Sequence, residues 1–556
     1  VLEHASQHVI TKLYMGLPEV IQNEINQLLS LDMDKRADIL INSPNVRLLL
    51  NALPDQELYF IIKNSWGGNS EILLHYMPVK KILSFIDIEC WDKDRLSIDD
   101  LFSWLSTLMD ASIDAFIKTL AELDQELIIL MFKEFIEVVQ MSPTDENAPD
   151  LIDAGFETLD NLYYFRFIKD SEENQIIKHF LHLVLAHNQG LYYSLMEGIE
   201  WEFKSAMEEN AYQRREIRLI ELGFPPSSES LGIYQYTKPD RIKLELDTLK
   251  TPILSEDYYL PTMYTEHISR GSELIASALN EADDHTKERV STEMVYLANK
   301  IIMADFMPLK DPENIKLAVK KAKHLASLGL AFLSKRHGLP VVSILNKINA
   351  ENLFRLGNSL IIEQQRRAKR LLREAGIDII PPREKALMEG LLKKPPYEKS
   401  PLVSTIEELE LVSKSLDRLS AMLAIVRRLK WERHQDRLYM TNIQSIHSLD
   451  MGNIIITASA VNLAEKKTYF RPITKDEMVS FINTTTSINP DGYRRAKKRL
   501  LKDFNALLKD LDPEIEDAVV QDISFYLQER LVEETARILR PEDIDPRFIT
   551  CMIVEL

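Results

Sequence analysis

The chain has 556 residues, 45% apolar and 28% charged, with 67 Lys and Arg against 86 Asp and Glu for a formal net charge of −19. That length exceeds what a single core organises and predicts several domains or a repeat array; the composition excludes a disordered or collagen-like chain. Two cysteines, Cys90 and Cys551, exclude a disulfide framework and a Cys-based zinc site, and point to a reducing cytoplasm.

Only 16 glycines occur, well below the average usage of roughly 7%, in a chain rich in Leu, Ile, Glu and Lys. This balance predicts a mainly or wholly α-helical fold, with an N-terminal helical-repeat region, a bundle of long helices and little or no β structure. Charge is uneven: residues 1–300 carry about −25, 301–510 about +14 and 511–556 about −8. No apolar run reaches the roughly 18–20 residues of a membrane span. HFLHLVLAHNQGLYYSLM (179–196) comes closest and is broken by His, Asn and Gln. VLEHASQHVITKL is not read as a signal peptide, since no basic stretch precedes an apolar core.

In chain order, residues 1–140 read as stacked helix pairs. LPDQELYFIIKNS (53–65) recurs in outline as LDQELIILMFKEF (123–135), with Asp55 and Asp124 placed as N-caps and Lys63 and Lys133 at the matching ends. Between them FIDIECWDKDRLSIDD (85–100) holds a concentration of acids. A calcium loop from Asp92 requires Gly at its sixth place and Glu at its twelfth, where Ser97 and Ser103 stand. Ser97 and Asp100 instead predict a capping box opening the helix of Leu101, Trp104 and Leu105, with Cys90 a small buried residue at a helix end.

MSPTDENAPD (141–150) reads as a linker, opening a middle helical segment over 151–265. His179, His182 and His187 are spread over about 140° of one helix, so they do not converge on a metal; no HExxH or Glu-x-x-His accompanies them. Arg214 and Arg218, one turn apart, form a candidate anion clamp, or else ion pairs along a helix face. That helix is predicted to stop at Leu222, before Gly223 and Pro225. A long irregular crossing follows, in which RIKLEL (241–246) reads as a short strand.

Residues 266–556 read as a C-terminal bundle. Asp311–Pro312 opens a helix that Gly338 and Pro340 close, and the next is predicted from about Ser343 to Gly376. Its end carries Arg366, Lys369, Arg370 and Arg373 opposite Ala368, Leu371 and Leu372. Ser404 and Glu407 predict a capping box before the seam Leu409, Val412, Leu416, Leu419, Leu423 and Val426, read as an intramolecular hairpin. Arg427, Arg428, Lys430, Arg433 and Arg437 surround Trp431; Thr474 and Glu477 predict another capping box; Arg494, Arg495, Lys497, Lys498 and Arg499 close the basic series.

Phosphate loops (GxxxxGK[ST], GxGxxG) and a GxSxG elbow are absent, so no catalytic residue, cofactor or metal is expected from motifs. The leading expectation is a non-catalytic cytoplasmic interaction or scaffold protein. It would dock acidic partners through the repeat surface and the basic residues Arg366, Lys369, Arg370, Arg373, Arg427, Arg428, Arg494, Arg495 and Lys498. Nucleic-acid binding through the basic helices at 366–373, 427–437 and 494–499 is the less favoured alternative, since no recognised motif accompanies them. An enzyme or metalloprotein site assembled near His179 or Arg214 is the third.

CWDKDRL with Trp104, ETLDNLYYFRF, EENAYQRREIRLIELGFP with IYQY, ANKIIMAD, LFRLGNSL and ITASAVNLAEKKTYFRPIT occur in consistent order along the chain. Together they resemble a full-length family of uncharacterised bacterial proteins, found mainly in anaerobic sulfate- or metal-reducing bacteria. The family's AYRxR-like box falls on Ala211–Arg215, with Gln213 in place of its first Arg. The resemblance carries no activity, substrate or catalytic residue with it.

Overall fold

The computed structural model describes residues 17–68, 70–141, 148–242, 244, 262–375, 379–393, 403–443 and 449–556. The fold is mainly α-helical, and among the described residues the β structure consists of three small antiparallel sheets. The chain forms two compact units that part between Gly357 and Asn358. This division runs through the segment read from sequence as one bundle over 266–556. The acidic excess is confined to one side of it: residues 1–357 hold 35 Lys and Arg against 55 Asp and Glu, and residues 358–556 hold 32 against 31.

In the first unit consecutive helices alternate between two rows. Met33–Asn42, Asp55–Asn64, Val79–Glu89 and Ile113–Glu122 pack in succession along one row, and Val46–Ala52, Ser70–Tyr76, Ile98–Ala111 and Gln125–Phe135 along the other. Each helix therefore buries its stripe against the next copy of the pattern, as a repeat array requires. The recurrent motif marks helices enclosed on nearly all sides: Leu58–Ile62 and Leu127–Phe132 are continuously buried. Its acids are hooks rather than caps. Asp55 lies in the first turn behind Pro54 and accepts from Lys81 and Ser84; Asp124 occupies the N-cap position without a side-chain capping bond and accepts from Arg218. The next acid is paired in both copies, Glu57 with Arg36 and Glu126 with Arg214.

Ile136–Gln140 is a strand paired antiparallel with Tyr163–Phe167, which also pairs with Glu157–Thr158. One sheet thus joins the segments on either side of MSPTDENAPD, most of which lies outside the described residues, as does half of RIKLEL. Beyond it, Asp284–Ala304 and Pro312–His337 form the main helix pair, and Gly338 closes the latter in the left-handed conformation as expected. The predicted helix from Ser343 divides into Val341–Leu345 and Ala350–Ala375, because Asn349 turns back to cap the second through the Asn352 amide at 2.6 Å. Gly329 and Gly357 let two of these helices touch backbone to backbone. A Cβ on Gly329 would fall on the Leu353 carbonyl, and one on Gly357 on the Leu325 carbonyl. Gly329→Ala is therefore expected to lower stability by about 1–3 kcal/mol in urea unfolding, since neither backbone can retreat without separating the helices.

The second unit is built around Met451–Glu465, whose residues from Met451 to Val461 are all buried, the mark of a central helix. Ile406–Leu429, Lys475–Thr485, Lys498–Leu511 and Asp517–Thr535 surround it. The predicted seam Leu409–Val426 faces this core, so it serves an intramolecular bundle. The helix begins one residue later than read: Thr405 and Glu408 form the capping box, while Ser404 also donates to Glu408. Thr474 and Glu477 form theirs as expected. Arg471 grips Glu477 at 2.6 and 2.9 Å and holds its carboxyl down at about 2. The folded value lies below the ordinary 4.5, so this stabilisation is complete above the unfolded value and is lost as pH falls from there toward 2. The melting difference between wild type and Glu477→Gln is expected to shrink between pH 6 and pH 3.

Candidate functional site

The helix Lys204–Glu221 buries Met207, Ala211, Arg215 and Leu219 along one line and ends at Leu222, with Gly223 left-handed. Its arginines are aimed at acids from the repeat array. Arg218 donates two bonds to Asp87, at 2.7 and 2.9 Å, and a third to Asp124 at 2.8 Å. Arg214 donates to Asp124 at 3.3 Å and to Glu126 at 2.9 Å. Arg215 donates to the Asp87 carbonyl at 2.8 Å and lies over the Trp91 ring, which also meets Tyr212. Asp87 is only 1% exposed. Burial pushes its carboxyl up against the pull of Arg218. Arg218, against its own burial, is held more firmly protonated by Asp87 and Asp124, and burial brings Arg215 down to about 10.

The acid-rich stretch 85–100 is thereby accounted for. Asp87 anchors Arg218; Glu89 accepts from the Tyr59 hydroxyl and lies 3.4 Å from Lys63; Asp100 accepts from Lys310 at 2.8 Å. Ser97 caps the next helix through the Asp100 amide, and Cys90 is fully buried at a helix C-terminus. Asp92, Asp94 and Asp99 point to solvent around a two-residue hairpin with Lys93 left-handed at its tip. His179, His182 and His187 are all exposed on Glu173–His187, so His187 does not share the buried face of Phe180 and Val184. Among the described residues no three His, Cys, Asp or Glu side chains lie together as metal ligands.

The basic series is distributed over different structures. Arg366, Lys369, Arg370 and Arg373 lie exposed on one face of Ala350–Ala375, opposite buried Ala368 and Leu371. Neither the Lys369 ammonium nor the Arg370 guanidinium has an ion-pair partner among the described residues. The second group is split by Lys430, left-handed at the end of Ile406–Leu429, from a 3-10 segment over Trp431–Met440. Arg427 donates to the Glu374 carbonyl at 2.9 Å; Arg428 donates to the Leu511 carbonyl and pairs with Asp512 at 2.9 Å. Both reach carbonyls at neighbouring helix C-termini, where cations are favoured by the helix dipole. Arg494 and Arg495 sit not on a helix but on the strand Arg494–Ala496, paired with Thr486–Ile488. Arg494 is 4% exposed and donates to Thr486, Asn483 and the carbonyls of Ile538 and Leu539. Arg495 and Lys498 are exposed, but Lys498 opens the helix that ends at Leu511, about 20 Å from the carbonyl held by Arg428. The first two groups meet where Arg427 reaches Glu374, beside Arg373, and the third lies apart from them.

Stacked helix pairs in one unit and a helical bundle in the other, each carrying long-range ion pairs of its own, define a mainly α-helical protein in which no helix is long and apolar enough to cross a membrane, among the described residues. The chain belongs to the family described as "Family of unknown function (DUF6178)", whose model matches residues 20–555, so the resemblance seen in the sequence is full-length. No curated protein and no solved structure matches the chain.

Proposed function

We propose that this is a non-catalytic, cytoplasmic interaction protein that docks an acidic protein partner on the cationic face of Arg366, Lys369, Arg370 and Arg373, with the stacked helix pairs as a second binding surface. The observation that carries this reading is a helix that buries Ala368 and Leu371 on one face while its outer face concentrates exposed cations. Arg427 and Arg428 have internal acceptors and Arg494 is buried, so they support that face or the fold rather than the partner. The stacked helices add extended surface without catalytic groups. Capture of the tagged chain's partner from its native lysate is expected to fall about tenfold with Lys369→Glu, Arg370→Glu, because two attractions become repulsions. Undiminished capture by that variant sinks the proposal. Nucleic acid in the eluate that leaves steeply with salt replaces the acidic protein by the alternative partner.

A further inference from the structure

We infer that the exposed aromatic pair Trp201 and Phe203, framed by Glu197, Glu200 and Glu202, docks a basic segment of a partner protein. Trp201 is 67% exposed and Phe203 is 79% exposed. Single exposed apolar side chains are ordinary, but two large rings separated by one residue are an anchor of the kind that dominates protein interfaces.

The display is rigid. Trp201 ends the helix Gln189–Trp201; the Glu202 amide donates to the Gly198 carbonyl at 3.1 Å, and the Phe203 carbonyl accepts from Ala206 and Met207 to start the next helix. Beneath, Gly198 leaves room for Ile129, and Lys133 donates to the Ile199 carbonyl. A backbone held in this way has little freedom left to lose on binding. One turn before Trp201 stands exposed Glu197, and another turn back Tyr193, 39% exposed, so the aromatic–acidic stripe continues along the helix.

Charge selects the occupant. Lys204 is paired with Glu134 and Lys133 donates to the Ile199 carbonyl, so Glu197, Glu200 and Glu202 outweigh the cations around the rings. Carboxylates beside aromatic faces suit Lys and Arg through ion pairing and cation–π contact, and repel an anionic membrane or nucleic acid. The inference is independent of the cationic face at 366–373.

The test uses the full chain and two fluorescently labelled synthetic peptides of equal length, one alternating Arg and Leu, the other Glu and Leu, followed by anisotropy. The basic peptide is expected to bind, and Trp201→Ser, Phe203→Ser to weaken it about tenfold with an unchanged melting temperature, as for loss of an interface anchor. That variant keeps the net charge, so binding within twofold of wild type shows that the acidic field alone attracts the peptide and overturns the inference. Equal binding of the acidic peptide, or no binding of the basic one, overturns it as well. Should the double variant misfold, the single variants Trp201→Ser and Phe203→Ser decide, each at unchanged net charge: a several-fold loss in either supports the site, and affinity within twofold of wild type in both refutes it.

Discussion

Deleting Ile549–Leu556 is expected to unfold the unit that begins at Asn358. This segment is short but lies inside the unit: Ile549, Cys551, Met552, Ile553 and Val554 are each no more than 2% exposed. Its backbone is tied at every step. The Ile553 amide donates to Thr457 on the central helix at 2.9 Å, the Val554 amide to Asn442 at 2.8 Å, and the Asn442 amide to the Val554 carbonyl at 2.9 Å. Ile473 exchanges bonds with Ile553 and Glu555 on the other side. At about 1.5–3 kcal/mol for each buried aliphatic side chain, the loss reaches the whole stability of a typical domain, about 5–15 kcal/mol. Circular dichroism of the truncated chain should lose much of the helical signal of Asn358–Leu556; a truncated chain with full helicity would show that the segment merely decorates a finished core.

Arg218→Ala carries the second large effect, expected at about 3–5 kcal/mol, the usual penalty for stranding a buried charge. Asp87 would be left without its guanidinium while remaining almost wholly buried, and Asp124 would lose its 2.8 Å donor. The charge, not the contact, is the larger part of that cost. Asp87→Asn, Arg218→Met is therefore expected to recover at least half of the loss in urea unfolding. If the double variant is as unstable as the single one, packing by the arginine stem holds the helix Lys204–Glu221 in place, and the ion pair is incidental.

These two sites also show where sequence reading reaches and where it stops. Local signals were legible: Ser97 and Thr474 cap helices, Gly223 and Gly338 turn left-handed after them, and Leu409–Val426 forms a buried seam. Each rests on a few adjacent residues and one backbone preference. Ser404–Thr405 offers two capping hydroxyls in succession; the second caps the helix and the first also donates to Glu408. IEVVQ and CMIVEL carry no local signal of extended structure, since each is short and its partners, Tyr163–Phe167 for one and Asn442 and Ile473 for the other, are remote in sequence.

The charged groups follow the same division. Arg366, Lys369, Arg370 and Arg373 share an exposed face, as helical spacing requires. What Arg218 and Arg494 do could not be read locally, because Asp87 precedes Arg218 by 131 residues and the acceptors of Arg494 include carbonyls 44 and 45 residues away. The excess of cations in residues 301–510 acquires a partial physical reason: Arg427 and Arg428 close helix C-termini, and Lys321 is buried against Asp305. For Trp201 and Phe203 the signal the sequence offers is two rings separated by one residue among glutamates.

The cationic face is tested most directly with purified protein, by anisotropy of a labelled polyglutamate and of a labelled DNA duplex of equal charge, at low and at moderate salt. The wild type is expected to bind the acidic polypeptide at both salt concentrations and more tightly than DNA, and Lys369→Glu, Arg370→Glu to abolish that binding without changing the melting temperature. Polyglutamate that binds the variant as well as the wild type, or fails to bind either, would contradict the account.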